Sequence, residues 1–187
     1  MALPDSFFIT SGTAITFADT TYAPTSGNML GIRTDQINLA RVGNNTARQS
    51  NKTDLGLYRA ATYSVLTNLE FSSPPTTGTV EFWWSPSIAP NSSQVNAGFV
   101  AGLDGPYWGY GNNQVHLDNA IRQLQYIGDF PCSTVVSPTG QMGYVGELVA
   151  THRYGTLVLY NKSGAPMSSG VTQVSVSLIP NYGVVAD

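Results

Sequence analysis

Short runs of β-branched and aromatic residues, cut apart by clusters of Gly, Pro, Ser and Asn, most constrain what this chain can fold into. The clearest run is Thr79-Val80-Glu81-Phe82-Trp83-Trp84, with Val80, Phe82 and Trp84 on one parity and Thr79, Glu81 and Trp83 on the other. That alternation is the period of a strand with one buried face. It is bounded by Ser72-Ser73-Pro74-Pro75-Thr76-Thr77-Gly78 and by residues 85–93 (SPSIAPNSS), where proline argues against a central strand. Many such pieces in series read as an all-β sandwich or barrel.

The same reading gives candidate strands at Phe7–Thr10, Thr13–Phe17, Met29–Arg33, Ile37–Val42, Thr62–Phe71, Ala97–Leu103, Gln114–Leu117, Tyr144–Ala150, Thr156–Tyr160 and Val171–Ile179. The mixed parity of Tyr63, Val65, Leu66, Leu69 and Phe71 calls for a bulge or burial on both faces. Thr53 or Asp54 can cap a short helical turn through Ala60, and Asp118 a short helix over Asn119–Leu124. Residues 44–53 and 104–113 read as loops. No internal repeat or linker divides the 187 residues, so one domain spans 1–187, with 1–30 as an N-terminal arm.

Charge is the unusual quantity. Only 10% of residues are charged and Glu occurs three times, against about a quarter charged in an ordinary soluble domain. Ser, Thr, Gly, Asn and Pro together supply 80 of the 187 positions. A helical bundle is excluded by the missing Glu and Lys, and disorder by a hydrophobic fraction of 42%. A pI near 5.2 excludes a nucleic-acid binder that works by bulk positive charge. A net charge of only -3 on so bare a surface fits a chain largely covered by other chains. No apolar run approaches the ~18 residues of a membrane span, and MALPDSFFIT does not read as a signal peptide. The single cysteine, Cys132, excludes an internal disulfide framework.

Chemistry-bearing motifs are sparse. His116 and His152 lie far apart with no ligand spacing, and Asp104, Asp118 and Asp129 lack the pattern of a calcium loop, so turn and cap roles are the plain reading. No nucleophile elbow, phosphate loop or zinc-protease helix occurs. Cys132 could pair with either histidine, but a structural role is the simpler one. No catalytic, metal or cofactor site is expected. Among the aromatics, Tyr107 and Trp108 in the Gly-rich segment 104–113 (DGPYWGYGNN) are candidates for stacking a sugar, with subunit or loop packing as the alternative. Five of the eight cations, Arg33, Arg41, Arg48, Lys52 and Arg59, fall within residues 33–59 beside only Asp35 and Asp54. Each reads as solvated alone; as a group they form a candidate phosphate-contacting face.

Two stretches resemble a known family. Tyr58-Arg59-Ala60-Ala61 with Leu66 and Phe71 is similar to the segment entering the third large strand of tymovirus coat proteins. Val80, Trp84, Pro86, Pro90, Gln94 and Val95 match the valine, tryptophan, proline, proline, Gln-aliphatic pattern that follows it there. Gly155-Thr156-Leu157-Val158-Leu159, then Ala165-Pro166 and Val171–Leu178, resembles the last two strands. The resemblance covers residues 55–185 and leaves 104–145 without a family motif. It implies an eight-stranded antiparallel jelly-roll sandwich with one or two short helices. It also implies self-assembly into a quasi-equivalent icosahedral shell packaging single-stranded RNA without a long basic arm. No cation precedes Arg33 here. The resulting expectation is a non-enzymatic virion protein whose partners are copies of itself, single-stranded RNA and charge-balancing polyamines, and no membrane. Arg41, Arg48, Lys52 and Arg59 are its RNA-side candidates. The alternative is a carbohydrate-binding jelly-roll module of a viral or phage attachment protein, using Tyr107 and Trp108.

Overall fold

The computed structural model describes residues 14–21, 33–57, 59–76, 78–91, 95–134, 140–170 and 174–181. The expected strand at Phe7–Thr10, most of that at 29–33, and the arm apart from 14–21 lie outside them. Among the described residues there are two β-sheets and one α-helix. The strands are β1 (Ile15–Ala18), β2 (Arg33–Gln36), β3 (Thr46–Gln49), β4 (Thr53–Asp54), β5 (Thr62–Leu69) and β6 (Thr79–Ser87), then β7 (Gly105–Tyr107), β8 (Gln125–Pro131), β9 (Gln141–Val149), β10 (Tyr154–Asn161) and β11 (Ser175–Asn181). Helix α1 (Gln114–Ile121) lies between β7 and β8.

The first sheet runs β2-β1-β11-β5-β9 and the second β7-β3-β10-β6-β8, with β4 also on β10. All pairings are antiparallel except β1 with β2. The two sheets form a sandwich whose core includes Phe17, Val65, Leu69, Phe82, Trp84, Leu157 and Leu178. Phe17 meets Trp84 edge-on across it, with ring centroids 6.4 Å apart. On β6 the inward residues are Val80, Phe82 and Trp84, as the alternation requires. On β5 they are Tyr63, Val65, Thr67 and Leu69, and the register with β9 shifts between Val65 and Leu66, where the mixed parity called for a bulge.

A second apolar layer covers the outside of the β3-β10 half of the second sheet. Ala47, Val158 and Tyr160 point outward there and meet Leu117, Ala120 and Ile121 of α1 and Leu124 just after it, with Val100 and Tyr107. Strand β10 is therefore buried on both faces along nearly its whole length, which is why it reads as a continuous apolar run. The sandwich closes at the β8/β9 side by direct backbone approach. A Cβ on Gly128 would sit 2.2 Å from the Val145 carbonyl oxygen, and one on Gly146 2.3 Å from that of Ile127. At the opposite side Asp104 links the sheets, bonding Gln36 of β2 and Arg48 of β3.

Several expectations are corrected. Ile37–Val42 is not a strand: Ile37, Leu39 and Val42 are buried, but the amides of Asn38, Ala40 and Arg41 bond the Asp104 carboxylate, the Asn38 side chain and the Ser168 carbonyl. Ala97–Leu103 begins with a 3-10 turn (Ala97–Phe99) in which Gly98 and Phe99 have left-handed φ of 65° and 60°. The helix starts at Gln114 and is capped by Asn113, whose side chain accepts the His116 amide at 3.0 Å; Gln114–Leu117 is therefore helical, and Asp118 lies inside the helix. Among the described residues up to Ala60 no helical turn follows Asp54, which accepts the Gly56 amide and pairs with Arg153, while Tyr58 of the expected turn lies outside them. Strand β6 continues through Pro86 to Ser87, because β8 has ended at the Trp84–Gln125 pair, leaving Pro86 without a ladder partner on that side before Ser87 bridges Asn96. The expected loop 44–53 contains β3 and the first residue of β4, the expected loop 104–113 contains β7, and β8 was not expected, whereas β1 agrees with the strand expected at Thr13–Phe17.

Candidate functional site

The four cations proposed as an RNA-side group do not form one face. Arg48 sits on β3, its Nε 2.7 Å from Asp104 Oδ1. Burial opposes ionisation of Asp104, but bonds from Arg48, the Asn38 amide and Gln36 outweigh it and hold its pKa below the ordinary carboxylate value. Lys52 follows at the same corner and donates to Ser87 Oγ and the Ala89 carbonyl, both at 2.9 Å. Burial lowers its pKa. Beside it opens a cavity of about 440 Å³, lined among others by Asn51, Pro90, Asn91, Gly102 and Leu103. Arg59 spans the carbonyls of Ala150 and Thr151 at 3.3 and 3.0 Å, near the start of β5. Arg41 lies at the other end of β5, where its amide bonds Ser168 and the Ser168 amide bonds Glu70. The length of β5, eight residues at about 3.3 Å each, separates these two arginines. Of the four, only Arg41 is exposed.

The two residues assigned to sugar stacking are also not a platform. Tyr107 is 1% exposed, its ring inside the second apolar layer and its hydroxyl donating to the Gly98 carbonyl at 2.6 Å. Burial raises its pKa. A ring so enclosed offers no face to a ligand. Trp108 packs half-buried against the same layer.

The remaining candidates contact neighbours within the chain. Burial pushes the Cys132 thiol up to about 11. His116 lies against Tyr110, ring centroids 4.4 Å apart, and His152 Nδ1 bonds Thr151 Oγ1 at 2.9 Å. No group of three His, Cys, Asp or Glu side chains able to hold a metal occurs among the described residues. No helix among them is long and apolar enough to cross a membrane.

The richest side-chain constellation lies on the outer face of β6 and β8, the half of the second sheet that α1 leaves open. Glu81 and Asp129 stand directly opposite each other, and beyond the intervening Phe82–Gly128 pair come Trp83 and Tyr126, whose rings meet at 4.8 Å and 60°. Trp83 Nε1 donates to Glu81 Oε2 at 3.2 Å, and Lys162 Nζ lies 2.6 Å from Glu81 Oε1. Lys162 also rests 4.4 Å from the Tyr160 ring centroid. The Tyr160 hydroxyl donates to Asp118 at 3.0 Å; burial first and then Asp118 raise its pKa to about 12. Tyr126 is 48% exposed, and burial followed by its bond to Asp129 raises its pKa. Sequence reasoning missed this face because Gly128, Asp129 and Pro131 disguise β8. The alternation of Glu81 and Trp83 on β6 was the available signal.

No family model matches this chain, and no curated protein matches it.

Proposed function

We propose that this chain is a coat protein, a jelly-roll subunit that associates with copies of itself into a closed icosahedral shell around single-stranded RNA. The observation that carries the reading is strand order. Strands β1, β3, β5, β6, β8, β9, β10 and β11 pair first with last, second with seventh, third with sixth, and fourth with fifth, each pair antiparallel. A ribbon of four strand pairs rolled on itself gives this order, and viral capsids are a common home of such double-sheet barrels. Strands β2, β4 and β7 would then be additions at the margins.

Surface chemistry agrees with a subunit that meets other copies. Charged residues are few, while Ile88, Phe99, Leu103 and Val115 are each more than 60% exposed. The Val80-Trp84-Pro86 pattern that resembles tymovirus coats bears on the fold alone, since Val80 and Trp84 fill the core and Pro86 lies within β6 opposite Gly155. Arg48, Lys52 and Arg59 already bond within the chain, so they neutralise little phosphate. In this reading polyamines balance most of the RNA charge, the protein catalyses no reaction, and its location is the virion.

Size-exclusion chromatography and electron microscopy of the expressed chain, with and without RNA, test the proposal. Shells of many copies that protect RNA from nuclease are the expected result. A stable monomer or trimer under all these conditions, particularly one that binds glycans, overturns it.

A further inference from the structure

Seven cations have described side chains, and six have an evident role within the chain. Arg48, Arg153 and Lys162 are in ion pairs, Lys52 and Arg59 hold carbonyls, and Arg122 stands exposed just past the C-terminal end of α1, where the helix dipole favours a cation although its side chain makes no bond among the described residues. Arg41 is the exception. It is exposed, and its φ of 56° lies in the left-handed region that non-glycine residues seldom occupy. A backbone bond of 3.0 Å from its amide to Ser168 fixes the turn that holds it there. The fold thus bears a backbone cost at an exposed arginine that, among the described residues, has no ion pair or side-chain hydrogen bond. Such an outlier is a pointer to function.

The outer face of β6 and β8 has the opposite imbalance. Like charges directly across a sheet repel, yet Glu81 and Asp129 occupy opposed positions. Lys162 neutralises Glu81 and leaves Asp129 exposed beside the exposed Tyr126 ring, with Trp83 behind it. A carboxylate next to an open aromatic ring suits a guanidinium, which is planar, stacks on aromatic faces and forms paired bonds to carboxylate.

We infer that the Asp129–Tyr126 face of one copy takes the Arg41 side chain of a second copy. The two halves of the contact lie on different parts of the chain, so the interface is heterologous, the kind that closes rings when the rotation allows. The inference rests on the coat-protein reading only in supplying one contact that such a shell needs. It also assigns Arg41 to protein rather than to RNA.

Charge reversal tests it. Arg41→Glu and Asp129→Arg are made singly and together, and association is followed by sedimentation velocity, with circular dichroism to show that each variant is folded. Each single reversal should raise the concentration for half-association at least tenfold, equivalent to about 1.4 kcal/mol. The double variant should return to within about threefold of the parent by that same measure. If Asp129→Arg fails to fold, Tyr126→Ala with Arg41→Ala replaces it, and their effects should be less than additive. Unchanged association in the single variants, or no recovery in the double, overturns the inference. Arg41→Glu shells of normal yield but reduced RNA content also overturn it and leave the coat reading standing. A small ring or trimer that obeys the charge swap supports the inference while removing the coat reading.

Discussion

Gly155→Ala sets two physical effects against each other with opposite signs. Gly155 lies in β10, opposite Pro86, and its backbone is not left-handed. On backbone propensity alone, alanine inside a strand should stabilise by about 0.5–1 kcal/mol. Packing predicts the reverse. An added Cβ would stand 2.2 Å from both Cε2 and Cζ2 of Trp84 and 2.5 Å from its Nε1. Carbon atoms rest at about 3.5–4.0 Å, so the indole would have to retreat by more than about 1 Å. Trp84 is fully buried and edge-on against Phe17, which leaves no space for that movement. Overpacking of this kind costs about 1–3 kcal/mol, and a rigid, enclosed ring puts this case near the top of the range. A net loss of about 1.5–2.5 kcal/mol, after the propensity gain is subtracted, should lower Tm by roughly 3–10 °C in a chain of this size.

Thermal unfolding followed by circular dichroism measures the shift. Trp84→Phe supplies the control. The Trp84 Nε1 has no hydrogen-bond partner, so the shorter ring loses packing but no bond. In that background Gly155→Ala should cost at least about 1 kcal/mol less than alone, a coupling ordinary for side chains in contact. A rise or no change in Tm for Gly155→Ala would refute the packing argument, and strict additivity in the double variant would refute the assignment to Trp84.

Three further outcomes follow from the same geometry. With its thiol pushed up to about 11, Cys132 should react with a disulfide reagent at pH 8 on the order of 10²-fold more slowly than a free cysteine; a rate near that of free cysteine would contradict its burial. Asp104 has its pKa depressed below 3.8 in the fold, so it favours the folded state above the unfolded pKa. That contribution is lost as pH falls through the folded value, and Asp104→Asn should flatten the fall of Tm below about pH 4, which acid titration of both proteins checks. Gly128→Ala should unfold at least several degrees lower, since its Cβ would meet backbone rather than a movable side chain; a Tm within about 1 °C of the parent would mean that β8 and β9 can separate freely.

The legible parts of the fold are those where one physical rule dominates. Strand β6 carries period two with nothing competing, and Val80, Phe82 and Trp84 fill the core accordingly. Strand β8 carries Gly, Asp and Pro for reasons that exist only in three dimensions: Gly128 admits the Val145 carbonyl, and Asp129 faces Glu81. The apolar run 97–103 suggested a strand, but left-handed Gly98 and Phe99 turn it back over the second sheet. Tyr107 sits among glycines and prolines and so suggested an exposed loop aromatic. Its ring instead closes a second apolar layer whose other side is α1. The cations 41–59 cluster in sequence, yet Arg41 and Arg59 lie at opposite ends of β5. Sequence proximity there meant only that the chain crosses from one end of the sandwich to the other.

The charge deficit has two causes, and the structure separates them. Part of it is internal. Segments between β6 and β8 cover the outer side of the second sheet, so Ser85, Ser87 and Thr156 are almost fully buried there. A charge at those positions would need a buried partner, whereas a hydroxyl needs only a carbonyl, as Ser85 finds at Ala97 at 2.9 Å. The rest of the deficit is at the surface, and it is concentrated. Of ten exposed large apolar side chains among the described residues, five (Ile88, Phe99, Leu103, Tyr110 and Val115) fall between residues 88 and 115. The covering layer is thus apolar on the side facing the sheet and on the side facing out. If the outer side is where copies meet, replacing Ile88 and Leu103 by Ser should leave Tm almost unchanged, since exposed positions contribute within about 0.5 kcal/mol, while association weakens. A loss of Tm without loss of association would instead place these side chains in the chain's own packing, and the surface share of the deficit would need another cause.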